Sequence, residues 1–139
     1  MAKENFLSGY NCSQSVVLAF SDLTGVDKDT LLKLSSPFGG GMGRMREVCG
    51  AVSGMYIVLG LLEGYSDNKA YEQKKELYKT VQELAERFKV QNGSIICREV
   101  IKNPSSSPEP TIRDENFYKE RPCVKMVMTA ADILENYLK

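Results

Sequence analysis

The sequence predicts an all-α protein: a single-domain compact bundle of about five to six helices around a buried, glycine-containing central helix. Three observations carry the prediction. Apolar residues recur at three- and four-residue spacing, caps and stop signals separate the periodic segments, and the longest apolar run, residues 46–63, is long enough to be a helix through the core. With 139 residues, 42% of them hydrophobic and 26% charged, the chain can build its own core. It does not resemble a disordered tail, a collagen-like fibre or a disulfide-dense miniprotein. Residues 1–139 therefore read as one helical, cysteine-containing domain.

In chain order, Asn11 is an N-cap with Gln14 at the capping-box position, and Val16, Val17, Phe20 and Leu23 follow as one apolar face that Gly25 ends. Asp27 caps a short helix carrying Leu31, Leu32 and Leu34, stopped at Ser35-Ser36-Pro37. The run Phe38-Gly39-Gly40-Gly41-Met42-Gly43 is a loop. From Arg46 to Glu63 the buried helix contains Gly50, Gly54 and Gly60. Each glycine costs about 1 kcal/mol relative to alanine, a penalty tolerated where another backbone must come close, and Gly50 and Gly54 share one face. Gly64 and Ser66-Asp67-Asn68 precede a polar helix over residues 69–89, with Lys74, Leu77, Tyr78, Val81, Leu84, Ala85 and Phe88 on one stripe. Ser94 caps a short apolar segment, residues 95–101, read as helix with strand as the alternative. The Pro/Ser-rich stretch at residues 103–113 is expected on the surface. Pro122 is expected at the first position of the last helix, whose buried face is Val124, Val127, Met128, Ala131, Leu134 and Leu138.

Eighteen Lys and Arg balance eighteen Asp and Glu, so net charge favours neither nucleic acid nor an anionic membrane. The chain contains no histidine, which removes Ser-His and Cys-His dyads, imidazole ligands and the usual neutral-pH proton shuttle. It has no signal-like apolar run at its start and nothing close to the ~20 apolar residues of a membrane span, so a cytoplasmic location is expected. Thiols in that compartment are kept reduced, which makes the four cysteines metal ligands, redox groups or buried hydrophobes rather than permanent disulfides.

Each cysteine falls near an expected helix start: Cys12, Cys49, Cys97 and Cys123. Unpaired N–H groups and the macrodipole there stabilise a thiolate, the form that attacks disulfides and binds metals. No two cysteines form C-x2-C, so any site must be assembled by the fold. Four thiolates without histidine suit an iron–sulfur cluster or zinc, whereas two close pairs suit reversible disulfides, and four cysteines allow three pairings.

At these positions the chain resembles the family named for its C_GCAxxG_C_C cysteine pattern. The match runs through Gly9-Tyr10-Asn11-Cys12-Ser13-Gln14, the glycine loop, Cys49-Gly50-Ala51-Val52-Ser53-Gly54, Gly93-Ser94-Ile95-Ile96-Cys97-Arg98-Glu99 and Pro122-Cys123, with Val48 where glycine would precede the second cysteine. The resemblance implies a small helical protein with suspected redox or metal chemistry, in which the four cysteines converge wholly or in pairs. Cys12 and Cys49, both joined to apolar helices, are the expected inner pair, with Cys97 and Cys123 as further ligands or resolving thiols. Electron transfer, thiol–disulfide chemistry and metal or iron–sulfur binding all remain open, with a redox partner protein and self-association through the Gly50/Gly54 face among the expected interactions.

Gly39, Gly40, Gly41, Gly43 and Arg44, leading toward a helix with Arg46 nearby, form a second candidate feature that could hold an anion or a cluster edge. The run has neither the P-loop order nor the dinucleotide fingerprint, which argues against a nucleotide. The competing reading makes it a turn that admits the central helix to the core. The alternative class is thus a non-catalytic helical module that binds an anion or partner at this loop, its cysteines structural. No constellation in the sequence prescribes a catalytic cycle.

Overall fold

The computed structural model describes residues 1–101, 106–110, 113 and 122–139, and the fold is all-α with no strand among them. The elements are α1 (Ala2–Leu7), α2 (Cys12–Ala19), α3 (Ser21–Thr24), α4 (Lys28–Ser35), a 3-10 turn (Ser36–Phe38), α5 (Gly39–Met42), a four-residue turn within the glycine loop whose Gly40 and Gly41 leave the right-handed helical region, α6 (Gly50–Glu63), α7 (Tyr71–Asn92), α8 (Cys97–Val100) and α9 (Cys123–Leu138). Five of these helices are seven residues or longer, with short turns of helix between them, so the helix count somewhat exceeds the sequence expectation.

The central helix lies where the sequence puts it. Val52, Met55, Val58 and Leu59 of α6 are fully buried, each contributing about 1.5–3 kcal/mol by leaving water. α2 crosses α6 at close range. A Cβ on Gly50 would stand 2.8 Å from Phe38 O and 3.2 Å from Cys12 Cβ, and one on Gly54 would stand 2.8 Å from Ser13 O. The shared glycine face is thus filled by α2 of the same chain. α9 closes the bundle against α1, α2, α6 and α7.

Local chemistry explains most boundaries. Asn11 accepts from Gln14 N at 2.8 Å while Gln14 Oε1 accepts from Asn11 N at 3.1 Å, the reciprocal capping box. Asp27 accepts from Thr30 N at 2.9 Å and starts α4. Gly25, with φ of +69°, ends α3 in the left-handed conformation.

Several expectations are corrected. α1 was not anticipated; it forms because Ala2 and Phe6 bury against the bundle. The helix expected from Asn11 to Gly25 breaks at Phe20, whose φ and ψ of −108° and 18° leave the helical region, and Leu23 is consequently exposed. α6 begins at Gly50 rather than Arg46, because Val48 pairs with Ile96 in an isolated antiparallel bridge. That bridge also divides the 95–101 segment into an extended approach and α8. Ser94 accepts from Ile96 N at 3.0 Å and shapes the approach, while Ile96 holds the N-cap of α8. Pro122 is the N-cap of α9, one position before the expected one, so Cys123 is its first residue. The buried face of α9 is Met126, Val127, Ala130, Ile133 and Leu134, with Met128 exposed, because an adjacent register of the helix is equally apolar. On α7 the stripe is buried only at Leu84 and Phe88; Tyr78 faces outward and hydrogen-bonds Tyr65 at 3.1 Å. Of the Pro/Ser-rich stretch, residues 106–110 are exposed, Arg113 is half-buried, and the remainder lies outside the described residues.

Candidate four-thiol site

Each cysteine sits at a helix start: Cys12, Cys97 and Cys123 are the first residues of α2, α8 and α9, and Cys49 is the N-cap of α6. Four helix entries separated by long stretches of chain meet at one place. Cys12 lies within electrostatic reach of Cys123, Cys49 and Cys97, with Cys123 bearing on it most strongly, and Cys49 lies within reach of Cys97 and Cys123. None of the four is in a disulfide.

Two backbone devices bring them together. Cys49 N donates to Ile95 O at 2.7 Å and Cys97 N donates to Glu47 O at 2.6 Å, on either side of the Val48–Ile96 bridge. Residues two apart on an extended segment share a face, so Cys49 and Cys97 occupy the same face as a diagonal pair, roughly 7–8 Å apart by the usual spacing. Close approach of α2 to Gly50 then places Cys12 over the start of α6. Of the other three thiols, Cys123 bears most strongly on Cys12, with Cys49, its partner in the expected inner pair, within reach as well.

The glycine loop wraps this site. A Cβ on Gly39 would stand 2.7 Å from Asn11 Cγ, and one on Gly41 would stand 2.7 Å from Cys97 Cβ. Gly40, Gly41 and Gly43 have φ of +68°, +71° and +60°, a region open to glycine at little cost. Met42, Arg44 and Arg46 share the left-handed conformation at +67°, +69° and +61°, where non-glycine residues are strained. The loop therefore wedges between the Cys12 cap and Cys97, and it fixes Arg46 against the site. Arg46 is 5% exposed, and its Nη1 lies 3.8 Å from Cys97 Sγ. A guanidinium against sulfur is the kind of environment that favours thiolate.

Electrostatics separate the thiols. Burial pushes Cys49 up to about 12, against the opposing pull of the Ala51 and Val52 amides, so it stays protonated at neutral pH. Cys12 is raised well above the ordinary thiol value, first by the neighbouring Cys123 thiol and then by burial.

Cys12 and Cys123 line an open cleft of about 510 Å³. Gly39, Gly40 and Arg44 form part of its wall, together with Arg46 and Arg113. Arg113 is held by 2.7 Å hydrogen bonds to Phe6 O and Tyr10 O and lies 4.2 Å over the Phe6 ring. It is the residue that sequence reading missed: its position depends on a return from the far end of the chain that no local pattern encodes.

Among the described residues, no group of three or more His, Cys, Asp or Glu side chains is placed to hold a metal ion. No described helix is long and apolar enough to cross a membrane. A family model described as "Putative redox-active protein (C_GCAxxG_C_C)" matches residues 10–137. No curated protein and no solved structure matches the chain.

Proposed function

The chain belongs to the C_GCAxxG_C_C family, and on that premise we propose that it is a thiol–disulfide redox protein whose working pair is Cys12 and Cys123. The observation that carries the reading is that these two thiols both open on the wall of one cleft, Cys123 being the group that bears most strongly on Cys12. Between neighbouring thiols, ionisation of one disfavours ionisation of the other. The attacking thiolate is assigned to Cys123, the first residue of the 16-residue α9, which has that helix's first-turn amides beside it.

In the oxidative half-reaction, Cys123 thiolate attacks one sulfur of a small disulfide. The substrate S–S bond breaks, a Cys123 mixed disulfide forms, and the departing thiolate takes the Cys12 proton. Cys12 then attacks the Cys123 sulfur, releasing the second substrate thiolate, which is protonated from solvent. Two protein thiols are oxidised to one disulfide, and one substrate disulfide is reduced to two thiols. Cys49 and Cys97 stand behind this pair, Cys49 protonated. The reading assigns the protein to a thiol-reducing compartment such as the cytoplasm, where a partner dithiol returns the pair to its reduced form.

The test is to purify the protein anaerobically, measure its metal content, treat it with a small disulfide and map the products by mass spectrometry after alkylation. The wild type should form a Cys12–Cys123 disulfide, Cys12→Ser should accumulate the mixed disulfide on Cys123, and Cys123→Ser should accumulate neither. Stoichiometric iron or zinc in the purified protein, or no disulfide between these two residues, would overturn the reading.

A further inference from the structure

The redox step written above leaves two of the thiols without a task. Cys49 and Cys97 are 4% and 6% exposed and lie outside the described lining of the cleft, which Cys12 and Cys123 reach. Burial of one such thiol is ordinary, because cysteine packs as a small hydrophobe. These two, however, are built as a pair. They flank a single bridge, Val48 with Ile96, and the hydrogen bonds from Cys49 N to Ile95 O and from Cys97 N to Glu47 O put both side chains on one face.

The pair also stands next to the one at the cleft. Gly50 follows Cys49, and a Cβ there would stand 3.2 Å from Cys12 Cβ, so the starts of α6 and α2 lie against each other. Charge divides the thiols in the same way. Cys123 bears most strongly on Cys12, Cys97 is the thiol that bears most strongly on Cys49, and both Cys49 and Cys97 are felt at Cys12. A disulfide needs its Cα atoms within about 6.8 Å and a diagonal pair stands at roughly 7–8 Å, so closing the rear pair draws its two segments together by about 1 Å. The bridge that holds them is a single residue pair with no strand beside it among the described residues, and such two-stranded contacts twist more freely than a sheet.

We infer that the four thiols are two pairs in series, Cys12–Cys123 at the cleft and Cys49–Cys97 behind it, so that one chain delivers four electrons rather than two. The inference rests on the thiol–disulfide reading above and adds a reserve of electrons behind the same site. Transfer between the pairs is thiol–disulfide exchange within the chain. Cys97 attacks the Cys12 sulfur of the Cys12–Cys123 disulfide; that S–S bond breaks, a Cys12–Cys97 bond forms, and Cys123 leaves with the proton that Cys97 gave up. Cys49 then attacks the Cys97 sulfur, and Cys12 leaves with the Cys49 proton. Two rear thiols are oxidised to one disulfide while the cleft disulfide is reduced to two thiols, and no outside oxidant is consumed. Cys97 attacks first because Cys49 holds its proton up to about 12. The restored cleft pair then reduces a second small disulfide by the step already written.

The experiment treats the reduced full chain, under anaerobic conditions, with excess bis(hydroxyethyl) disulfide, quenches samples with acid at intervals, and maps disulfides and alkylated thiols by mass spectrometry. In the wild type Cys12–Cys123 should appear first and Cys49–Cys97 after a lag, and at completion all four thiols should be lost. Cys49→Ala and Cys97→Ala should each stop at the cleft disulfide. Cys123→Ser cannot form that disulfide, so its rear pair should oxidise at least about tenfold more slowly than in the wild type. Loss of only Cys12 and Cys123 in the wild type, with Cys49 and Cys97 still alkylated after unfolding, would overturn the inference and leave the redox reading standing. Rear-pair oxidation in Cys123→Ser at the wild-type rate would overturn it equally. Failure of the wild type to form any Cys12–Cys123 disulfide would overturn the redox reading itself.

Discussion

The close crossing of α2 and α6 is open to a quantitative test within a single helix. Alanine forms helix better than glycine by about 1 kcal/mol, and Gly60→Ala should gain about that much, because its Cβ would meet nothing within 4 Å. At Gly54 the same methyl would stand 2.8 Å from Ser13 O, 3.1 Å from Val16 Cβ and 3.3 Å from Ser13 Cα. Two of those three atoms are backbone of a packed helix, so the clash cannot be relieved by turning a flexible side chain. Overpacking costs about 1–3 kcal/mol, and the upper end applies where two helices must separate. Less the propensity gain, Gly54→Ala should lose about 2 kcal/mol and stand about 3 kcal/mol below Gly60→Ala. Urea unfolding followed by circular dichroism, under reductant, should place the two midpoints about 1.5–2 M apart for a slope of about 1.5–2 kcal/mol per M. If Gly54→Ala were as stable as Gly60→Ala, close backbone approach would not be the reason for glycine at 54.

Two further outcomes follow from the same geometry. Asn11→Ala removes the acceptor for Gln14 N and the 3.1 Å bond to Ser36 O, and should cost about 1–2 kcal/mol in the same urea assay; a loss under about 0.3 kcal/mol would mean the cap is not used. Stability should also fall in alkali: Cys49 holds its proton in the fold up to about 12 against an ordinary value of 9.0, so its contribution is complete below about pH 9 and declines between 9 and 12, at about 1.4 kcal/mol per pH unit. Unfolding measured between about pH 8 and 10 under reductant should show that decline, and Cys49→Ala should make it shallower without abolishing it, since Cys12 and the raised tyrosines Tyr56, Tyr78 and Tyr137 would still contribute with the same sign.

What the sequence made legible was local. Asn11 with Gln14, Asp27 before Thr30, and Gly25 after Thr24 each specify a boundary within four residues, so the caps of α2 and α4 and the end of α3 could be read directly. The same locality put all four cysteines at helix starts. Gly50 and Gly54 announced a close approach, but not which backbone would approach. The unread parts depend on partners distant in sequence. α1 is held by burial of Phe6, the delayed start of α6 by a bridge to Ile96, and the register of α9 by neighbours that choose Met126 over Met128. Which thiol bears most strongly on Cys12 is a question of the same kind, because only the return of α9 to α2 brings Cys123 there.

That return has a thermodynamic consequence. Cys12 stands near one end of the chain and Cys123 at the start of its last helix, so a bond between them would close a loop containing most of the polypeptide. Closing a loop on the order of 100 residues removes unfolded-chain freedom worth about 4.7 kcal/mol in the chain-entropy account. Oxidation and folding are then two legs of one thermodynamic square. Whatever such a disulfide would add to the stability of the bundle, the bundle would return as resistance of that disulfide to reduction, so on the proposed reading the packing of α9 against α2 would set the reduction potential of the pair as well as its position.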